Sequence, residues 1–158
     1  MSDMKTKTLV VTAAVWVTAG TICLAASPQM GTWKLNEAKS KIAKGTAKNT
    51  MVVYKSAMMG KVKVTVDGMD AEGKTAHNEW TGKFDGKDYP VTGDSASDMR
   101  SYKQIDDRNL EVANKKDGKV TVMGRIVVSA DGKNRTLTLS GMTSKGKKFK
   151  NTAVYDKQ

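Results

Sequence analysis

His77 is the only histidine in the chain and Cys23 the only cysteine. A hydroxyl or thiol nucleophile needs a base within hydrogen-bond reach, so any system of that kind would have to use His77. No Gly-x-Ser-x-Gly elbow presents a serine to it. Asp106 and Asp107 are adjacent, and adjacent residues point in different directions. They do not form the facing carboxylate pair of a glycosidase. Zinc asks for three or four His, Cys or carboxylate ligands, which one histidine does not supply. Asp67-Gly68-Met69-Asp70 lacks the alternating acidic spacing and distal Glu of a calcium loop. These residues predict a noncatalytic protein with no metal and no cofactor.

What remains is chemistry for binding. Eight methionines follow residue 26: Met30, Met51, Met58, Met59, Met69, Met99, Met123 and Met142. Thioethers can ligate copper(I), but only Met58 and Met59 are neighbours. The scatter reads first as core filling, then as the lining of an adaptable apolar cavity. Trp80, Arg125 and Tyr155 are the candidate ligand contacts. Arg125 alternates with Met123 and Val127, and Arg100 with Tyr102. An inward Arg needs an acidic partner or an anionic ligand, whereas an outward one simply meets water. Periodicity does not decide which face is inside. Single-stranded nucleic acid needs aromatics interleaved with basic residues on one face. Only eight aromatics follow residue 26 and no segment gathers them, so no nucleic-acid partner is expected.

The elements that must position these groups are marked by six Gly-Lys dipeptides. Gly60, Gly73 and Gly86 are 13 residues apart, and Gly118, Gly132 and Gly146 are 14 apart. Between them, apolar and polar residues alternate. Lys61 to Asp67 puts Val62, Val64 and Val66 on one side. Lys74 to Phe84 puts Trp80 and Phe84 on one face and His77, Glu79 and Thr81 on the other. Asp117-Gly118 is a strong hairpin signal, and Pro90 marks a short segment for an edge or bulge. Asn36 reads as the N-cap of one or two helical turns, with Glu37 in the first turn and Gly45 ending the segment. The pattern predicts an all-β fold. It is an antiparallel up-and-down meander closed into an 8- to 10-stranded barrel with one short N-terminal helix, because closure removes the exposed edges. A β-sandwich is the second choice, though it would need Greek-key crossovers that a steady meander lacks.

Residues 1–26 read as a secretory signal. Lys5 and Lys7 precede the uncharged run Leu9 to Leu24, and small residues follow at Ala25 and Ala26, either of which offers a cleavage point. The 132 residues from 27 to 158 then form one domain without cysteine, expected to be periplasmic or secreted and monomeric. The full chain carries +11, and only four of its 27 cationic residues are arginines. Spread lysines give a solvated surface and a general attraction to an anionic envelope surface.

Gly31-Thr32-Trp33, opening the first strand, resembles the Gly-x-Trp motif of the calycins, which include lipocalins and fatty-acid-binding proteins. The run Asn151 to Lys157 is similar to the last strand of fatty-acid-binding proteins. Ala153 stands where their carboxylate-binding Arg would be, while Tyr155 matches their Tyr. The chain as a whole looks like small exported bacterial proteins that share the opening Gly31 to Lys41 and the hairpin Ser129 to Thr136. The resemblance implies a calycin-like barrel holding a small apolar or amphipathic molecule, with Gly31 and Trp33 as structural residues. It also implies a cation over Trp33, for which Lys148 or Lys150 is expected. The alternative is a filled barrel serving as an envelope interaction module through its basic surface. A lumen of a few hundred Å³ separates the first from the second.

Overall fold

The computed structural model describes residues 27–158; the segment read as a secretory signal, Cys23 and the expected cleavage points lie outside the described residues. Ten strands follow one another: β1 (Gly31–Leu35), β2 (Lys48–Ala57), β3 (Lys61–Met69), β4 (Thr75–Gly82), β5 (Tyr89–Thr92), β6 (Met99–Gln104), β7 (Asn109–Lys116), β8 (Lys119–Val128), β9 (Asn134–Met142) and β10 (Lys148–Lys157). Each is antiparallel to its neighbours in sequence, and β1 pairs with both β2 and β10, closing the barrel. Trp33 sits opposite Val52 on one side and Lys157 on the other. The expected meander is therefore present and complete.

Glycines at the predicted turns explain the beat. All six Gly-Lys glycines have φ between 68 and 81°, the left-handed region that glycine enters without Cβ strain. Within strands, glycine has a different purpose. A Cβ on Gly124 would run into the carbonyl oxygen of Thr138 on β9. Such close approach lets the sheet coil tightly enough to close.

Three sequence expectations change. The helix after Asn36 is a single 3-10 turn, Glu37–Lys39, although the Asn36 side chain does cap it by accepting from the Lys39 amide at 3.2 Å. Pro90 is not at an edge, because a closed barrel has none. β5 instead lies between β4 and β6 and pairs with each through only two residues, the thinnest part of the ladder. A missing N–H is tolerated best where pairing is sparse. Finally, the sandwich alternative is excluded by closure.

The antiparallel order sorts the loops to two ends. Gln29 and the turns between β2 and β3, β4 and β5, β6 and β7, and β8 and β9 lie at one end. The segments 36–47, 70–74, 93–98, 117–118 and 143–147 lie at the other. The first end is plugged. Trp80 meets Tyr102 at 4.7 Å edge to face and stacks on Phe84 at 6.4 Å, and Tyr54 packs edge-on against Phe84 and Tyr102. Leu110, Ile126 and Val128 complete this buried cluster. Gln29 tucks beneath it and donates to the Arg108 carbonyl at 3.0 Å, while Trp33 Nε1 donates to the Gln29 carbonyl at 2.9 Å. The residues just before β1 thus tie the first strand to the turn between β6 and β7.

Candidate functional site

Above the plug, the open half of the lumen keeps a cavity of about 60 Å³. Its wall is mostly apolar: Val52, Val66, Val112, Val122, Ile126, Leu137 and Leu139 come from alternate positions of β2, β3, β7, β8 and β9. The polar exceptions are Asn49, Arg100, Asn114 and Arg135. About 60 Å³ holds a few waters, or a group of a few non-hydrogen atoms. A drug-sized molecule needs roughly 300 Å³ or more.

The two inward arginines differ in their surroundings. Arg100 is fully engaged. Its Nε donates to Asn114 Oδ1 at 2.8 Å, Nη1 to Asn78 Oδ1 at 3.1 Å and Nη2 to Asp94 Oδ2 at 3.2 Å. Asp94 also accepts from the Ser97 hydroxyl and from the Ala96 amide at 2.9 Å. Arg100 therefore fastens the loop 93–98 at the open end, and its charge is met by a carboxylate with 17% side-chain exposure.

Among the described residues Arg135 has no such partner. It is 2% exposed, and its Nε and Nη1 are buried without a hydrogen bond. The guanidinium carbon lies 5.0 Å from the Trp33 ring, 4.8 Å from Tyr54 and 4.9 Å from Tyr155. Three ring faces stand in for an anion. Lys157 Nζ lies 5.0 Å from the Trp33 ring as well. The cation over Trp33 is thus Arg135, joined by Lys157; Lys148 and Lys150 do not fill that place. Arg135 is also the residue that sequence reasoning passed over. It sits in the hairpin Ser129 to Thr136, and its signal was parity with Leu137 and Leu139.

The sequence-derived candidates separate. Trp80 is in the plug, with Nε1 donating to the Arg100 carbonyl at 2.8 Å. Tyr155 faces inward from β10, its hydroxyl donating to the Asn49 carbonyl at 3.0 Å. Burial pushes its phenol up to about 12, against the opposing pull of Arg135, so Tyr155 is a neutral donor at ordinary pH. Burial also raises Tyr102. Arg125 is a correction: it points outward from β8, half exposed, and pairs with Glu111 on β7 at 3.3 Å. A one-residue bulge between the Asn114–Val122 and Lys115–Val120 pairs sets that parity. Gly31 and Trp33 open β1, with Gly31 at φ 110° and Trp33 fully buried.

His77 lies on the outer wall, 2.6 Å from Asp67 and 3.8 Å from Glu79. Hydrogen bonding to Asp67, reinforced by both carboxylates' charge, raises its pKa above 6.5. The Thr50 hydroxyl donates to the Asp67 main-chain carbonyl at 3.2 Å, and among the described residues no serine or threonine hydroxyl is hydrogen-bonded to the His77 ring. Among the described residues no three His, Cys, Asp or Glu side chains are grouped to hold a metal.

No protein-family model and no curated protein matches the chain. Among solved structures, a redesigned β-barrel, mFAP1, bound to DFHBI, is similar over 83% of this chain and 98% of that chain, at 14% identity and a TM-score of 0.43.

Proposed function

We propose that the chain is an exported, noncatalytic binding protein of calycin type that holds a small, partly apolar molecule in the open half of its lumen. One observation carries the reading. A largely apolar cavity has at its floor a buried guanidinium, Arg135, that no carboxylate among the described residues neutralises. Three ring faces offset much of the cost of desolvating this cation, and an anionic or strongly polar head seated against it would supply the hydrogen bonds that Nε and Nη1 lack. The volume restricts what enters to a small molecule or to the head of a larger one. The calycin assignment rests on Gly31 and Trp33 at the start of β1 and on the late Arg stacked over Trp33. Export rests on the reading of residues 1–26.

The aromatic plug favours a second reading. The closed end of the barrel is filled by side chains, as in a scaffold whose working part is its basic exterior. Native mass spectrometry of the protein isolated from its own envelope, followed by organic extraction, separates the two. A stoichiometric adduct released on denaturation supports the ligand reading and gives its chemical class. A bare mass, together with no displacement of an apolar fluorescent probe, refutes it.

A further inference from the structure

Ion pairs join neighbouring strands on the outer wall at β3–β4 and β7–β8. Lys63 meets Glu79, His77 meets Asp67 and Arg125 meets Glu111. One corner departs from this. Where β8 and β9 reach the open end, Val120, Met123 and Met142 are 50%, 59% and 54% exposed. The ladders bring them together: Met123 lies opposite Ser140, and Met142 opposite Lys148. They line a groove of about 810 Å³ between the β7–β8 and β9–β10 turns, with Lys116, Lys119 and Lys148 also on its wall. Lys145, Lys147 and Lys150 stand exposed on the same β9–β10 hairpin. Among the described residues none of these six lysines forms an ion pair. The nearby acids are Asp117, in the β7–β8 turn, and Asp98, which accepts the Asp117 amide at 2.9 Å. The corner is strongly positive around an apolar centre.

We propose that this corner docks the barrel on an anionic lipid bilayer. Val120, Met123 and Met142 enter the headgroup boundary, and the lysines meet lipid phosphates. The residue types argue for a fluid sheet of phosphates over a fixed partner. The groove has no arginine on its wall, and arginine is the side chain suited to planar, bidentate recognition. Lysine is a point charge on a flexible stem, and methionine adapts to irregular apolar surroundings. Shallow apolar burial combined with basic residues is how proteins bind anionic interfaces. Val120, Met123 and Met142 are exposed and do not line the lumen cavity, so the proposal does not depend on the lumen reading.

The test is sedimentation of the protein, as its cell releases it, with vesicles of phosphatidylcholine alone or mixed with phosphatidylglycerol. Capture is expected on the anionic vesicles only, falling as salt is raised. The triple variant Lys119→Gln, Lys147→Gln, Lys148→Gln should weaken partition about a hundredfold, from roughly fivefold per lysine. The pair Met123→Ser, Met142→Ser should weaken it by roughly tenfold. A control triple on distant exposed lysines, Lys55→Gln, Lys83→Gln and Lys87→Gln, removes the same charge and should cost less than about threefold. All are surface changes, and an unchanged tryptophan emission spectrum verifies folding. The proposal is overturned by equal capture on both vesicle types, by no capture, or by a control triple as damaging as the first.

Discussion

Replacing Arg135 by Met keeps most of the side-chain length and removes the charge, so it isolates what the guanidinium does in the plug. Two terms oppose. An ion taken out of water costs several kcal/mol even after the surroundings relax. A desolvated cation–π contact returns about 2 kcal/mol, and Arg135 lies 4.8 to 5.0 Å from three ring centroids. These terms nearly cancel, so Arg135→Met should change the unfolding free energy by no more than about 2 kcal/mol in either direction. Arg135→Ala removes the stem as well and leaves a void beneath Trp33, at a cost of about 3–5 kcal/mol. For a domain of this size 1 kcal/mol moves the midpoint by about 4 °C. The Met variant should therefore melt within about 8 °C of the parent and the Ala variant at least about 12 °C below it. Urea and thermal unfolding followed through the buried Trp33 and Trp80 read both. If Met costs as much as Ala, the charge itself holds the closed end together. Arg135 is then a structural cation, and the argument that it awaits an anion fails.

Three further outcomes are expected. The His77 ring, held above 6.5 chiefly by its hydrogen bond to Asp67, gains from folding in its charged form. That added stability is complete below 6.5 and disappears as pH rises through the folded value. A ring-proton NMR titration should place the midpoint above 6.5, and Asp67→Asn should lower it; an unmoved midpoint refutes the assignment. Asp94→Ala removes the carboxylate from the buried Arg100 and should cost about 3 kcal/mol in urea unfolding. Faster amide exchange confined to 93–98 would accompany it, and unchanged stability would show that the two asparagines suffice. Gly124→Ala forces a methyl against the Thr138 carbonyl and should cost about 3 kcal/mol. Gly146→Ala, at φ 73° with open space around it, should cost about 1 kcal/mol from backbone strain alone; equal losses would refute the close-approach argument.

The architecture was readable because it rests on local chemistry. A glycine needed at positive φ recurs at each turn, and period-two alternation between turns assigns strands without knowledge of the partner strand. The face of a strand is less local, and β8 shows why. Counted outward from the Asp117-Gly118 turn, Lys116 pairs with Lys119 and Lys115 with Val120. Continued without interruption, that register would set Arg125 opposite the buried Leu110 and send it into the lumen. The bulge adds one residue, Thr121, and every later pair shifts. Arg125 then faces Glu111, and Leu110 faces Ile126. A one-residue slip exchanges the two faces of a strand, and β8 is apolar at both parities, so its composition could not report the slip.

The lumen was hidden for a related reason. Arg125 and Arg135 look alike in sequence, each with an apolar residue two positions on, Val127 and Leu137. What distinguishes them is the opposite residue on the next strand. Glu111 beside Arg125 makes an exposed ion pair, whereas Arg135 has Tyr155 opposite it on β10. A cross-strand acid marks a cation for water, and a cross-strand aromatic marks it for the interior. The Arg135–Tyr155 pair is thus the feature that ties the fold to the proposed function. The β9–β10 pairing places an unneutralised charge at the floor of the cavity. A ligand that binds there must bring a charge or dipole that the barrel lacks, which is why the chemistry of the extracted adduct, and not merely its presence, decides the reading.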